Sequence, residues 1–221
     1  MRRVLSFLVV LLAGMTAAAP LSAQIIQPAR RMFDPSTWVS FGVGLLNLQA
    51  IDDPATNSSW AFASGATQYR ASIEHAMGSG TSVGLTGGIA RAGMTYSSAS
   101  LACLNGCDAD ADVTQLLATF RAGGSRGFHQ VLELQAGTTL FSNFKQRSSG
   151  NKLEPMSSVN DFSFAFGYGF GYALSSTTQF SVVQDIGTML HRHSGANASN
   201  NSTPRFSTTR IAVRFGLGER R

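Results

Sequence analysis

In 221 residues only 13% of the side chains are charged and the formal net charge is +5, well below the charged quarter usual in a water-soluble domain. The positive excess is small and dispersed, with no basic stripe among aromatics, which excludes nucleic acid as a partner. No stretch reaches eighteen continuous apolar residues, which excludes helical membrane spans and leaves a closed barrel as the form able to enter a bilayer, where every backbone N–H and C=O must be paired.

At the N-terminus, Arg2 and Arg3 precede an apolar run from Val4 to Leu12, then small residues ending in Leu21, Ser22 and Ala23. This predicts a secretory signal peptide over 1–23, cleaved after Ala23. A short segment over 24–36 leads into a barrel over 37–218, and 219–221 form a tail.

Eight strands are predicted, at 37–47, 60–75, 81–96, 111–122, 128–142, 161–174, 178–190 and 206–217. All six prolines fall outside them, Pro35 just before the first and Pro54, Pro155 and Pro204 in connectors. Proline cannot donate to a ladder, so its exclusion marks central strands. Connector lengths alternate. Those at 48–59, 97–110, 143–160 and 191–205 are long and polar, whereas 76–80, 123–127 and 175–177 are tight turns.

The segment 161–172 reads D-F-S-F-A-F-G-Y-G-F-G-Y, with a ring at every second position and Ser, Ala or Gly between. Alternate side chains of a strand face opposite ways, so one wall is aromatic and the other nearly bare. Rings toward lipid and small residues toward a crowded lumen make the dyad pattern of a transmembrane barrel strand. The fold class is all-β: an eight-stranded antiparallel up-and-down transmembrane β-barrel with long extracellular loops and short periplasmic turns.

The same parity puts Phe41, Tyr69, Ile73, Leu116, Phe120, Leu132, Leu134, Ile211 and Phe215 outside. It turns seven charges into the lumen: Arg70, Glu74, Arg121, Glu133, Asp185, Arg210 and Arg214. Eight strands enclose an interior that side chains just fill, and buried charges must be paired. A lumenal salt-bridge network is expected, with Asp185–Arg210 its clearest pair if the last long loop centres near 198. Two positions break the pattern. Arg91 faces lipid unless a bulge at Gly87 and Gly88 turns Ile89 and Arg91 inward and Ala90, Ala92 and Met94 outward. Gln184 faces outward if Asp185 faces in. Trp38, Trp60, Tyr96, Phe128, Phe144, Phe162 and Tyr172 lie near strand ends and are read as interfacial girdles. His75 and His129 are read as interfacial too.

Cys103 and Cys107, the only cysteines, predict a small disulfide closing one loop of an exported chain. With no histidines nearby they do not make a zinc site. His191, Arg192, His193 and Ser194 form the most reactive-looking cluster. His191 and His193 share a strand face and could be a partial metal site, but no third ligand is evident. No metal or cofactor is expected.

On this pattern the chain resembles the small eight-stranded barrels of the OmpA/OmpX-like superfamily, over nearly all of its mature length. The resemblance implies an outer-membrane location in a double-membraned bacterium and a monomeric state. It implies contact with outer-membrane lipids and lipopolysaccharide, and with the barrel-insertion machinery, for which Phe215 in the last strand is the candidate signal. Lipid A deacylases of similar size work with a His-x-Ser pair and a carboxylate. Here Ser194 adjoins His193, and neighbours on a strand point to opposite faces, which argues against that triad. The expected function is non-enzymatic: envelope structure, or surface binding through the loops, Cys103–Cys107 and Lys145, Arg147, Lys152 and Glu154 foremost. A small passive pore and a lipid A-modifying enzyme built on His191, His193 and Ser194 are the alternatives.

Overall fold

The computed structural model describes residues 34–219 apart from 54–55, 79, 99–102, 125, 156–157 and 192–202. The signal-peptide reading, and His193 and Ser194, lie outside the described residues. Ten strands occur in the order β1 (Pro35–Leu48), β2 (Ile51–Asp53), β3 (Ser58–Phe62), β4 (Ala66–Gly78), β5 (Thr81–Ser98), β6 (Cys107–Gly123), β7 (Gly127–Gln146), β8 (Val159–Ala173), β9 (Thr178–Leu190) and β10 (Arg205–Glu219). Each neighbour pair from β4 to β10 is antiparallel, and β1 joins both β4 and β10, so eight strands close a ring. Pro35 opens β1 instead of preceding it, a position where the missing N–H disturbs no ladder.

The closure can be followed residue by residue. From Phe41 one route passes Ala71, Gly87, Leu116 and Thr138 to Phe162, and the other passes Val213 and Phe180 to Tyr172. The two meet β8 ten positions apart, a fixed stagger of the kind that tilts strands in a closed barrel. Because the stagger is even, inside stays inside around the whole circuit.

β2 lies outside the eight expected strands, and β3 overlaps the expected strand 60–75 over 60–62. β3 pairs the upper part of β5, from Ser58 opposite Ser98 to Phe62 opposite Met94, and β4 resumes on the same edge at Gln68 opposite Ala90. The expected strand 60–75 is therefore interrupted at 63–65, where Gly65 takes φ +79° and its N–H donates to Asn47 Oδ1 at 2.8 Å. β6 and β7 run further toward the loops than expected. In Asp108, Ala109, Asp110, Ala111 and Asp112 the carboxylates face out while the two alanines are fully buried. The period of two continues above the apolar belt, but acidic residues read as loop. Between Asp112 opposite Ser142 and Asp110 opposite Lys145 the register shifts by a residue, with Asn143 at φ +58°.

No bulge forms at Gly87 and Gly88. β5 runs there in continuous register with β4 and β6, so Ile89 and Arg91 face out and Ala90, Ala92 and Met94 are buried inside. Arg91 is accommodated by carboxylates on β6, not by irregularity of β5. Gln184 faces out as well, and its amide oxygen accepts the Thr209 hydroxyl directly across the β9–β10 pair.

The interior has two layers. Toward the short turns it holds the ionic network described below. Toward the loops it holds an apolar plug of Leu46, Ile51, Trp60, Met94, Tyr96, Phe141, Phe144, Met189 and Phe206. Trp60 packs on Phe144 and Phe141 with ring centroids 4.8 and 5.9 Å apart. This corrects the girdle reading for Trp38, Trp60, Tyr96 and Phe144, which are buried inside, while Phe128, Phe162 and Tyr172 do face out. Nearness to a strand end does not decide the face; parity does for Trp38, Trp60 and Tyr96, Trp38 sharing it with Ser40 and Gly42, whereas Phe144 turns inward because the irregularity at Asn143 flips the phase of β7.

The bare wall of β8 lets backbones approach. A Cβ on Gly169 would lie 2.0 Å from the carbonyl oxygen of Val182, a distance no side chain tolerates. Gly169→Ala is expected to cost about 1–3 kcal/mol as β8 and β9 are forced apart, seen as a lower urea midpoint of the folded form in detergent micelles. An unchanged midpoint would show that β8 has room to spare.

Candidate functional site

The seven lumenal charges lie on the inner wall and pair in two groups, five in one and Glu74 with Arg214 in the other. Arg70 Nη1 and Arg210 Nε each donate to Asp185 Oδ2 at 2.9 Å. Arg210 Nη2 also bonds Glu133 Oε2, whose other oxygen receives Arg121 Nη1 at 2.9 Å. Gln135 links the two acids: it accepts from Arg70 Nη2 and donates to Glu133, both at 2.8 Å. One layer nearer the turns, Glu74 accepts Arg214 Nη2 at 2.6 Å, Ser82 at 2.6 Å and Ser72 at 2.8 Å. The Arg214 guanidinium lies 4.4 Å from the ring centre of Trp38, a cation–π arrangement.

Local sequence explains how these long side chains fit. Gly167 faces inward opposite Asp185, and a Cβ there would come within 2.4 Å of its carboxylate. Hydroxyls and amides complete the inner wall beside the ions, with Gln68 to Gln115 at 2.8 Å, Thr86 to Thr119 at 2.8 Å and Thr139 to Ser163 at 2.6 Å. The cavity among Ser40, Ser72, Thr119, Arg121, Glu133 and Arg210 measures about 10 Å³, room for roughly one water molecule. Asp185 and Arg210 touch without being opposite. Thr208 is the partner of Asp185, and Arg210 stands against Val183, so the pair closes on the diagonal.

His191, one residue past β9, is buried under the plug. Its Nδ1 lies 3.0 Å from the Asp161 carboxylate at the head of β8, its Nε2 3.9 Å from Asp53 on β2, and its ring 5.5 Å from that of Trp60. Burial alone would lower the imidazole pKa. The hydrogen bonds and charges of Asp161 and Asp53 outweigh it and push the pKa up to about 9. Neither acid was singled out from sequence, although the parity of 161–172 puts Asp161 on the inner wall with Ser163 and Ala165. Asp53 is not accessible to parity, because β2 lies within the polar connector 48–59. Among the described residues no three His, Cys, Asp or Glu side chains converge as metal ligands. His75 is exposed; His129 is half-buried and hydrogen-bonds Gly127 O at 2.9 Å.

A second ionic cluster sits on the outer wall near the loops. Arg147 bonds Asp110 at 2.5 Å, Asn143 Nδ2 donates to Asp112 at 2.7 Å, and Arg91 lies 3.5 Å from Asp112 and 3.8 Å from Asp110. Just beyond it, Cys103 and Cys107 are joined by a disulfide.

A closed eight-membered ring, a greasy outer wall and an ionic interior define the fold of the small outer-membrane β-barrels. Among solved structures the chain is similar to Neisserial surface protein A (10% identity, 82% of this chain and 97% of that one, TM-score 0.50). It is also similar to OprG of Pseudomonas aeruginosa (13% identity, 84% and 99%, TM-score 0.47) and to the attachment invasion locus protein Ail of Yersinia pestis (14%, 81% and 99%, TM-score 0.44). No protein-family model and no curated protein matches the chain.

Proposed function

We propose that the protein is a monomeric outer-membrane barrel with a structural or surface-binding role, exported with residues 1–23 removed and inserted by the barrel-assembly machinery. Its lumen carries no current, and recognition resides in the loops and their rim. The observation that carries this reading is the stack of three ionic and hydrogen-bonded groups on the inner wall, around Glu74, around Glu133 and Asp185, and from Gln68 to Ser163, with a single-water cavity beside the ions. Beneath the loops the apolar plug adds a second closure. His191 is spent on buried carboxylates, which speaks against its serving as a base toward a lipid substrate.

Planar-bilayer recording tests the closure. Purified protein should give no steady single-channel conductance. Stable openings altered by Arg121→Ala or Glu133→Ala would replace this reading with that of a small pore. A comparison of lipid A with and without the expressed protein should show one unchanged acyl pattern.

A further inference from the structure

We propose that the lumenal cavity beside Arg121 is a binding site for one small monovalent anion, filled by chloride in chloride-containing solution. The inference goes beyond the structural role proposed above and rests on the closed lumen.

Charge comes first. Four guanidiniums, of Arg70, Arg121, Arg210 and Arg214, share the buried inner wall with three carboxylates, of Glu74, Glu133 and Asp185. Arginine keeps its proton in proteins, so this layer carries one positive charge in excess. The other buried carboxylates among the described residues, Asp53 and Asp161, sit at the loop end against His191. Asp161 is six residues along β8 from Gly167, which stands opposite Glu133, a distance of roughly 20 Å at the rise of a strand. A buried charge with no counter-ion close by is strongly disfavoured.

Next are the donors. Every carboxylate oxygen beside the cavity already accepts a hydrogen bond. Glu133 takes Arg121 on one oxygen and Arg210 with Gln135 on the other. Glu74 takes Ser72 on one and Ser82 with Arg214 on the other. What is left over is N–H and O–H. Arg121 is only 4% exposed and gives Nη1 to Glu133, yet its Nη2 is buried with no acceptor among the described residues. Thr86 and Thr119 share one hydroxyl proton between them, so the second proton is uncommitted. Arg214 Nε lacks an acceptor too, although Arg214 is not part of the cavity wall.

The third element is space. Arg121, Thr86 and Thr119 line one cavity of about 10 Å³, which also touches Glu74 and Glu133 and so lies between the two ionic groups. Gly42 and Ala212, register partners on β1 and β10, form a wall of it without any polar side-chain atom. The volume admits a single water-sized particle, and a chloride ion is only slightly wider than water. A water molecule would accept from the spare donors but leave the excess charge in place. Chloride accepts from the same donors and cancels it. Gluconate and sulfate, being polyatomic, are too large to enter.

Long-wavelength anomalous diffraction tests this on the refolded full chain crystallised from detergent in sodium chloride, since chloride gives an anomalous signal and water gives none. One peak should stand in the cavity within hydrogen-bond reach of Arg121 Nη2, with the Cys103 and Cys107 sulfurs as the internal standard. Density there without an anomalous peak is a water, and overturns the site. Stability in micelles gives the second measurement. The urea midpoint should be higher in sodium chloride than in sodium gluconate at equal ionic strength, and should rise with chloride concentration as the site fills. Arg121→Gln removes the excess charge and should abolish the difference between the two salts. Thr119→Val keeps the shape and the charge, and should move the half-effect to about tenfold more chloride, the worth of one hydrogen bond to an ion. It decides the matter should Arg121→Gln fail to give a heat-modifiable band. Equal parent midpoints in the two salts, or a folded variant of either kind with the parent's chloride dependence, overturns the site. Steady conductance in planar bilayers would show that the lumen is open, a failure distinct from an empty cavity in a barrel that carries no current.

Discussion

Asp185→Ala is expected to destabilise the barrel by about 3–5 kcal/mol, the cost of removing one partner from a buried ionic cluster. Asp185 is fully buried, and a single carboxylate oxygen receives both Arg70 Nη1 and Arg210 Nε. Its loss strips the shared acceptor from two guanidiniums at once, and the cavity that adjoins them measures about 10 Å³. Nor can the wall respond, since Gly167 opposite offers no atoms to fill the gap. Asp185→Asn keeps an acceptor of nearly the same shape and should cost less than the alanine variant. The measurement is the urea dependence of the folded, fast-migrating band in micelles or vesicles. A loss below about 1 kcal/mol for the alanine variant would show that the network is solvated and that Asp185 is not its hub.

The fold was legible because one rule, alternation, holds through the belt of every strand of the ring and breaks toward the ends, at Ala76–Gly78 of β4 and at Asn143 of β7. Phe41, Ala71, Gly87, Leu116, Thr138 and Phe162 are register partners in turn and all face outward, so parity assigned strand by strand agrees around the circuit. Parity also tolerates error in register. Centring the last loop near 198 misplaces β9 against β10 by two residues, yet an even slip leaves Asp185 and Arg210 on the same wall and within reach. What alternation does not reveal is height. It places Trp38 and Trp60 on no particular side until the strand's phase is applied, and it gives no warning that the upper lumen turns from ionic to apolar. Alternation does continue past the belt, but in the acidic start of β6, as in β2, strand geometry comes with loop composition. Alternation along β5 puts Arg91 on the outer wall but does not show what neutralises it there. Its neutralising partner lies on the next strand, and a single-strand reading offers only a bulge as an escape.

The buried imidazole makes the last prediction, which concerns pH. His191 is held in place by carboxylates from two elements, Asp161 of β8 and Asp53 of β2, and so pins the loop-side hairpin to the barrel wall. Its pKa in the folded protein, about 9, lies above its ordinary value of 6.5, so the folded state holds the proton more tightly than the unfolded one. The stabilisation is therefore complete below about pH 6.5 and is lost as pH rises through about 9. The size of the effect is roughly 2 kcal/mol after allowance for solvent screening at the loop end. The urea midpoint of the parent protein should accordingly fall between pH 6.5 and 9.5. His191→Asn removes the only cation seen between the two acids among the described residues. It should be less stable at pH 6.5 by a similar or larger amount and show no such slope, while proteolysis should cut the β2–β3 hairpin sooner. A variant that keeps the parent's slope would assign the titration to another group. One that loses the slope but leaves the hairpin as resistant as before would separate the charge from the pin.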